Sequence, residues 1–146
     1  MYVREIVLSY RTRPGPVDMD SDQRLSRPSD AAAVVTSLLA HEVVEVFVIL
    51  CLSTKHGFDA YYEVSRGSLD KTIVHPRDVF KAALIANSAA LILAHNHPSG
   101  DPTPSRADIE MTAEIKAAGA VLSIVVHDHL IVGNGRHLSF RREGLL

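Results

Sequence analysis

The stretch AALILAHNHPSGDPTPSRADIEMTAEIKAAG, Ala89–Gly119, changes character twice along its length. Ala89–Ala94 is wholly apolar, the pattern of a short strand buried on both faces. His95–Pro104 holds three prolines and a glycine, so it reads as an ordered loop rather than an extension of the strand. Ser105–Ala118 then reads as a helix, with Ser105 as N-cap and Gly119 where a left-handed C-cap is favoured. A buried strand leading through a stiff loop into a helix is the repeating unit of an α/β domain.

The flanks repeat this alternation. Upstream, Val43–Leu52 is nearly all apolar and rich in β-branched residues, as expected of a central strand, and Lys55-His56-Gly57 reads as a hairpin turn into a strand over Phe58–Ser65. Ser29 is placed to cap a helix through Ala31–Ala40, and Pro76 precedes a helix near Arg77–Asn87. Downstream, Val121–Val126 and His129–Val132 read as two further strands, followed by a tail, Ser139–Leu146, that is polar and then apolar. Met1–Tyr10 alternates as a strand, and Arg11–Arg27 is rich in Pro, Asp and Arg, which points to a surface loop. No internal repeat is evident. The expectation is one α/β domain, a mixed sheet covered by helices, over residues 29–146, preceded by a strand and loop over residues 1–28.

Bulk properties narrow the class. The chain has 146 residues, 47% hydrophobic and 22% charged, enough for one ordinary globular core. No apolar run approaches the roughly 20 residues of a membrane span, and the N-terminus does not resemble a secretory signal, so a cytoplasmic location is expected. A net charge of -2 argues against broad, non-specific contact with phosphates. Cys51 is the single cysteine, set in an apolar run, so neither an intrachain disulfide nor a cysteine-based zinc site is available. Metal chemistry, if present, falls to the eight histidines.

Two of them stand out. His95 and His97 lie two apart at the end of an apolar strand, and in extended chain such residues share a face. The loop, turned by Pro98, Gly100 and Pro102, delivers Ser105 and Asp108 to the N-cap and N3 positions of the following helix. Ser105-x-x-Asp108 alone is a capping box found at many functionless helix starts. A carboxylate oriented by a cap is nevertheless free to bind a metal. Two neutral imidazoles and one carboxylate leave a fourth position on a tetrahedral zinc for water, the form of a catalytic rather than structural site.

The unbroken pattern His95-x-His97, seven residues, Ser105, two residues, Asp108 resembles the JAMM signature of the JAB/MPN metalloproteases. HNHPSGDPTPS at His95–Ser105, VHPRDVFKAAL at Val74–Leu84, VSRG at Val64–Gly67 and DHLIVG at Asp128–Gly133 are similar to its RadC branch. The likeness runs from about Ser29 to Leu146. RadC proteins carry an additional N-terminal helix-hairpin-helix region with no counterpart here, so a stand-alone form is expected. The resemblance implies a JAB/MPN, cytidine-deaminase-like architecture and one zinc ion per chain, bound by His95, His97 and Asp108. It implies Glu45 as general base, at the head of the run Val46–Leu52, with Glu42 as runner-up. Glu45 would take a proton from the activated water and return it to a leaving amine, with Ser105 donating a hydrogen bond to the developing oxyanion. The reaction implied is cleavage of a peptide, isopeptide or related amide bond in a peptide or protein substrate.

Several decoys fall away. His41-Glu42-Val43-Val44-Glu45 starts like a zincin motif but lacks the second histidine. Zinc deaminases need a Pro-Cys-x-x-Cys element that one cysteine cannot supply. His95-Asn96-His97 spells an HNH nuclease only by coincidence, since that motif spreads over a hairpin and a helix. Asp128 and His129, which match the RadC pattern, are candidates to support the site from a neighbouring strand. Two other functions stay open at this point. One is a nucleic-acid-processing role in DNA repair, which the charge does not favour. The other is a non-catalytic interaction module.

Overall fold

The computed structural model describes residues 1–12, 14, 24–67 and 74–146. Eight elements follow in order: α1 (Pro28–Leu39), β1 (Glu45–Leu52), β2 (Phe58–Gly67), α2 (Pro76–Ile85), β3 (Ala90–Asn96), α3 (Arg106–Leu122), β4 (Val125–Gly133) and β5 (Arg136–Ser139). The five strands form one sheet in the order β2-β1-β3-β4-β5. Only β3 and β4 pair in parallel, joined by the α3 crossover, and the other neighbours are antiparallel. This is the mixed α/β sheet that the sequence predicts.

Side-chain alternation explains why helices lie on both faces. Along β1, Val46, Val48, Leu50 and Leu52 pack with Ala31, Val34 and Val35 of α1. Phe47, Ile49 and Cys51 turn the other way, onto Val79, Phe80 and Ala83 of α2 and Ile115 of α3. A strand apolar on both faces is stable only when both are covered. Gly119 lies inside α3 rather than at its end. A Cβ there would stand 2.5 Å from the Ile124 carbonyl oxygen and 3.1 Å from Phe80, so the glycine allows the close packing of α3 on α2. The left-handed residue that ends α3 is Ser123, at φ 58°.

Three other expectations need correction, and one element was not foreseen. Met1–Tyr10 forms no strand, and Val3, Ile6 and Leu8 are exposed. Alternation supplies a face, but a strand also needs a partner for its backbone, and among the described residues this segment has none in the sheet. Ser29 lies within α1, whose N-cap is Arg27, its N–H donating to Asp30 Oδ2 (3.1 Å). Of the two strands expected at Val121–Val126 and His129–Val132, Val121 and Leu122 instead close α3, and the rest falls to a single strand β4 that starts at Val125 and is interrupted by a bulge. Leu91 pairs with Val126 but Ile92 pairs with Asp128, leaving His127 as the extra residue. β5 was not expected. It follows a tight turn at Asn134 and Gly135, both at positive φ, the backbone that an Asn-Gly hairpin requires. Of the expected loop Arg11–Arg27, residues 13 and 15–23 lie outside the described residues. Among the described residues no helix is long and apolar enough to cross a membrane.

Candidate metal centre

Three elements converge at one end of the sheet. β3 brings His95, wholly buried, and the residue just past its end, His97. The start of β1 brings Glu45, and the first turn of α3 brings Asp108. His95 pairs with Phe47 across β1 and stacks on its ring, with centroids 5.7 Å apart. Glu45, two residues before Phe47, falls on the same face. His95 Nε2 lies 3.0 Å from His97 Nε2, 3.4 Å from Asp108 Oδ1 and 3.7 Å from Glu45 Oε1, and His97 Nε2 lies 3.3 Å from Asp108 Oδ2. One donor atom from each of the four residues lies within 4.8 Å of the others.

The capping box expected at α3 is present and aims Asp108. Ser105 Oγ accepts from the Asp108 N–H (3.1 Å), and Asp108 Oδ2 accepts from the Ser105 N–H (2.8 Å). Burial opposes ionisation of Asp108, but hydrogen bonds with His95 and His97, together with the Ser105 N–H, outweigh it. The carboxyl is held well below its ordinary range. The bond with Asp108 raises the pKa of His97 against the opposing effect of burial.

The tautomer of His97 follows from its other nitrogen. Nδ1 lies 2.8 Å from the Asp101 carbonyl oxygen, which can only accept, so Nδ1 carries a hydrogen and, in the neutral ring, Nε2 is the nitrogen that presents a lone pair. Asp101 is itself held by Thr103, whose N–H and O–H both donate to Oδ1 (3.0 and 2.7 Å). With both rings neutral and their Nε2 atoms unprotonated, imidazole lone pairs and carboxylates this close repel one another unless a cation stands among them. A tetrahedral zinc with bonds of about 2.0–2.1 Å sets its ligand atoms about 3.3–3.4 Å apart. The donor set and its spacing fit such an ion.

Residues 25–145 match the family model of the RadC-like JAB domain. The chain belongs to that family. It is 54% identical over 108 residues to a UPF0758 protein of Rhodobacter capsulatus, a match covering 74% of this chain and 50% of the relative. Over 128 residues it is 40% identical to a UPF0758 protein of Clostridium beijerinckii, covering 88% of this chain and 56% of the relative. A UPF0758 protein of Methanosarcina mazei is 43% identical over 124 residues, covering 85% and 54%. The chain thus spans about half the length of the curated relatives it matches.

In this RadC-like JAB domain the remaining candidates part ways. Glu42 is bound by Arg66 (2.5 and 2.8 Å), which lowers its pKa, and it takes no part in the cluster. His129 reaches the site, its Nε2 lying 2.8 Å from His95 Nδ1. Asp128 does not. Its carboxylate accepts from the Ser139 hydroxyl (2.5 Å) and the Arg141 N–H (3.0 Å), tying down the C-terminal turn, and touches His129 only through that residue's backbone N–H (2.7 Å).

Asn96 is a contributor the sequence reading passed over. Its Oδ1 accepts from the Val46 N–H (2.7 Å) and its Nδ2 donates to the Val44 carbonyl (2.8 Å), so one amide grips the backbone on both sides of Glu45. The middle residue of His95-Asn96-His97 thereby fixes β1 against β3 where Glu45 stands. The signal was an amide buried between two site histidines, which demands a polar partner.

Proposed function

We propose that this domain is a zinc-dependent hydrolase of the JAMM type that cleaves a peptide, isopeptide or related amide bond. His95, His97 and Asp108 hold the metal, and Glu45 is the general base. The carrying observation is the placement of Glu45: its carboxylate stands 3.7 Å from His95 Nε2 with 30% of the side chain exposed, while Glu42 is engaged by Arg66. It is thus the acid free to move protons at the mouth of the site.

A bound zinc supplies Lewis acidity at the scissile carbonyl and lowers the pKa of a coordinated water to about 7. Around it the chain's own groups divide the work. Glu45, held by the Asn96 clamp, would accept a proton from the attacking water and hand it to the departing amine as the C–N bond breaks. The cap at α3 uses a lone pair of Ser105 Oγ, leaving its O–H to point at the oxygen that gains charge. A cleft of about 530 Å³ lies beside His97, lined by Asn96, Ser99, Gly133, Asn134 and Arg136 among others. Among the described residues Arg136 is the one Lys or Arg side chain in that lining, and it donates to the Gly100 carbonyl (3.2 Å). That polarity suits a peptide backbone better than a phosphate chain.

Metal analysis of protein purified without chelator tests the first half, with about one zinc per chain expected and none overturning it. A screen of peptides, isopeptide conjugates and DNA, with Glu45→Gln as control, tests the second. Amide cleavage that disappears in the variant supports the reading, and DNA cleavage that disappears in its place sinks it.

A further inference from the structure

The hydrogen bonds behind His95 form a closed circuit. Thr112 Oγ1 lies 2.6 Å from the Asp108 carbonyl oxygen and 2.6 Å from His129 Nδ1. The carbonyl can only accept, so the Thr112 hydrogen is committed to it and Oγ1 is left as an acceptor. His129 Nδ1 must therefore carry a hydrogen. The ring of His129 is wholly buried, with Phe140 stacked on it at 4.5 Å and the edge of Phe47 at 5.5 Å. Its hydrogen bonds go to Thr112 and His95 and to no carboxylate, so a neutral imidazole is the form this environment accepts. Its Nε2 is then a lone pair, and His95 Nδ1, 2.8 Å away, must donate to it.

From this circuit we infer that Thr112 and His129 are positioning residues that lock His95 in its Nδ1–H tautomer, so that Nε2 presents a lone pair to the metal. This inference rests on the metal-site reading above and deepens it. His97 is set by a single loop carbonyl, whereas His95 is set by a two-residue relay. The relay returns to Asp108, whose carboxylate faces the same site from its other end. The first turn of α3 thus supplies a ligand and also the terminus of the relay that aims another. Groups that orient a metal-bound histidine in this way typically matter by about 10–100-fold in metal affinity.

The test is long-range nitrogen–proton NMR on histidine-labelled, metal-free protein, paired with zinc affinity measured by chelator competition. Wild type is expected to show the hydrogen on Nδ1 of both His95 and His129. Thr112→Val, which removes the hydroxyl while keeping the shape, is expected to redistribute the hydrogen in both rings and weaken zinc binding about 10–100-fold. Thr112→Ser is expected to restore both signals and the affinity. A hydrogen on Nε2 of His95 in the wild type overturns the inference whether or not the variants fold. So does a folded Thr112→Val protein with unchanged tautomers and affinity. If wild type binds no zinc at all, the metal reading fails separately, and the ring hydrogens still judge the relay.

Discussion

His95-Asn96-His97 and His127-Asp128-His129 share one pattern and come to different ends. In the first, β3 is regular, so both rings fall on one face and meet at 3.0 Å. In the second, the β4 bulge puts His127 out of register. Its ring packs beside His56 with centroids 4.6 Å apart, while His129 turns inward to the site. The surroundings then pull their proton affinities apart. His97 is raised by Asp108. His127 is lowered by burial and then by His56 and Arg141. Spacing proposes a pair of ligands, and strand regularity decides whether the pair exists.

The largest expected effect breaks the first pair. Asp108→Ala should abolish stoichiometric zinc binding by metal analysis, while His127→Ala should leave it intact. Loss of zinc in both variants would mean that the two motifs are not distinct. Next, Glu45→Gln should retain zinc yet reduce hydrolysis by about 10²–10⁴, the usual contribution of general acid–base catalysis. Its activity is read once the screen has found a substrate.

A third variant tests the contact that joins the two motifs. Gly133, at the end of β4, lies against the loop after His97, where a Cβ would come within 2.8 Å of the Gly100 backbone. Gly133→Ala should cost about 1–3 kcal/mol in a denaturant titration, as overpacking of a tight contact does. An unchanged midpoint would show that this loop is free to give way.

The smallest effects concern protons. Because the folded state lowers the pKa of His127, the unfolded chain takes up a proton first as pH falls through about 6.5. The contribution of His127 to stability is therefore full above that value and is lost as pH drops toward its lowered pKa. Urea midpoints at pH 7.5 and 5.5 should differ less in His127→Gln than in wild type. Cys51 offers a control on β1: burial raises its thiol pKa, so it should resist alkylation in the folded protein and react on unfolding.

What the sequence made legible had a short-range cause. The apolar runs of β1 and β3 must be buried, and the capping box Ser105-x-x-Asp108 is a matter of four consecutive residues, so these were readable in place. So was the meeting of His95, His97 and Asp108, because a proline-stiffened loop joins strand to helix. The hairpin at Asn134-Gly135 carried a signal that the reading passed over.

Other features depend on pairings between distant segments. The bulge at His127 exists only because β4 must register against β3. The split between Glu42 and Glu45 turns on Arg66, which β2 brings across β1 opposite Val46. Thr112 and His129 are seventeen positions apart and become a relay only when α3 lies against β4. Local chemistry set out His95, His97 and Asp108, the residues proposed as metal ligands in this RadC-like JAB domain. The tertiary structure alone decided which acid stands beside them and which hydrogen bonds aim them, because those choices depend on strand register and helix docking.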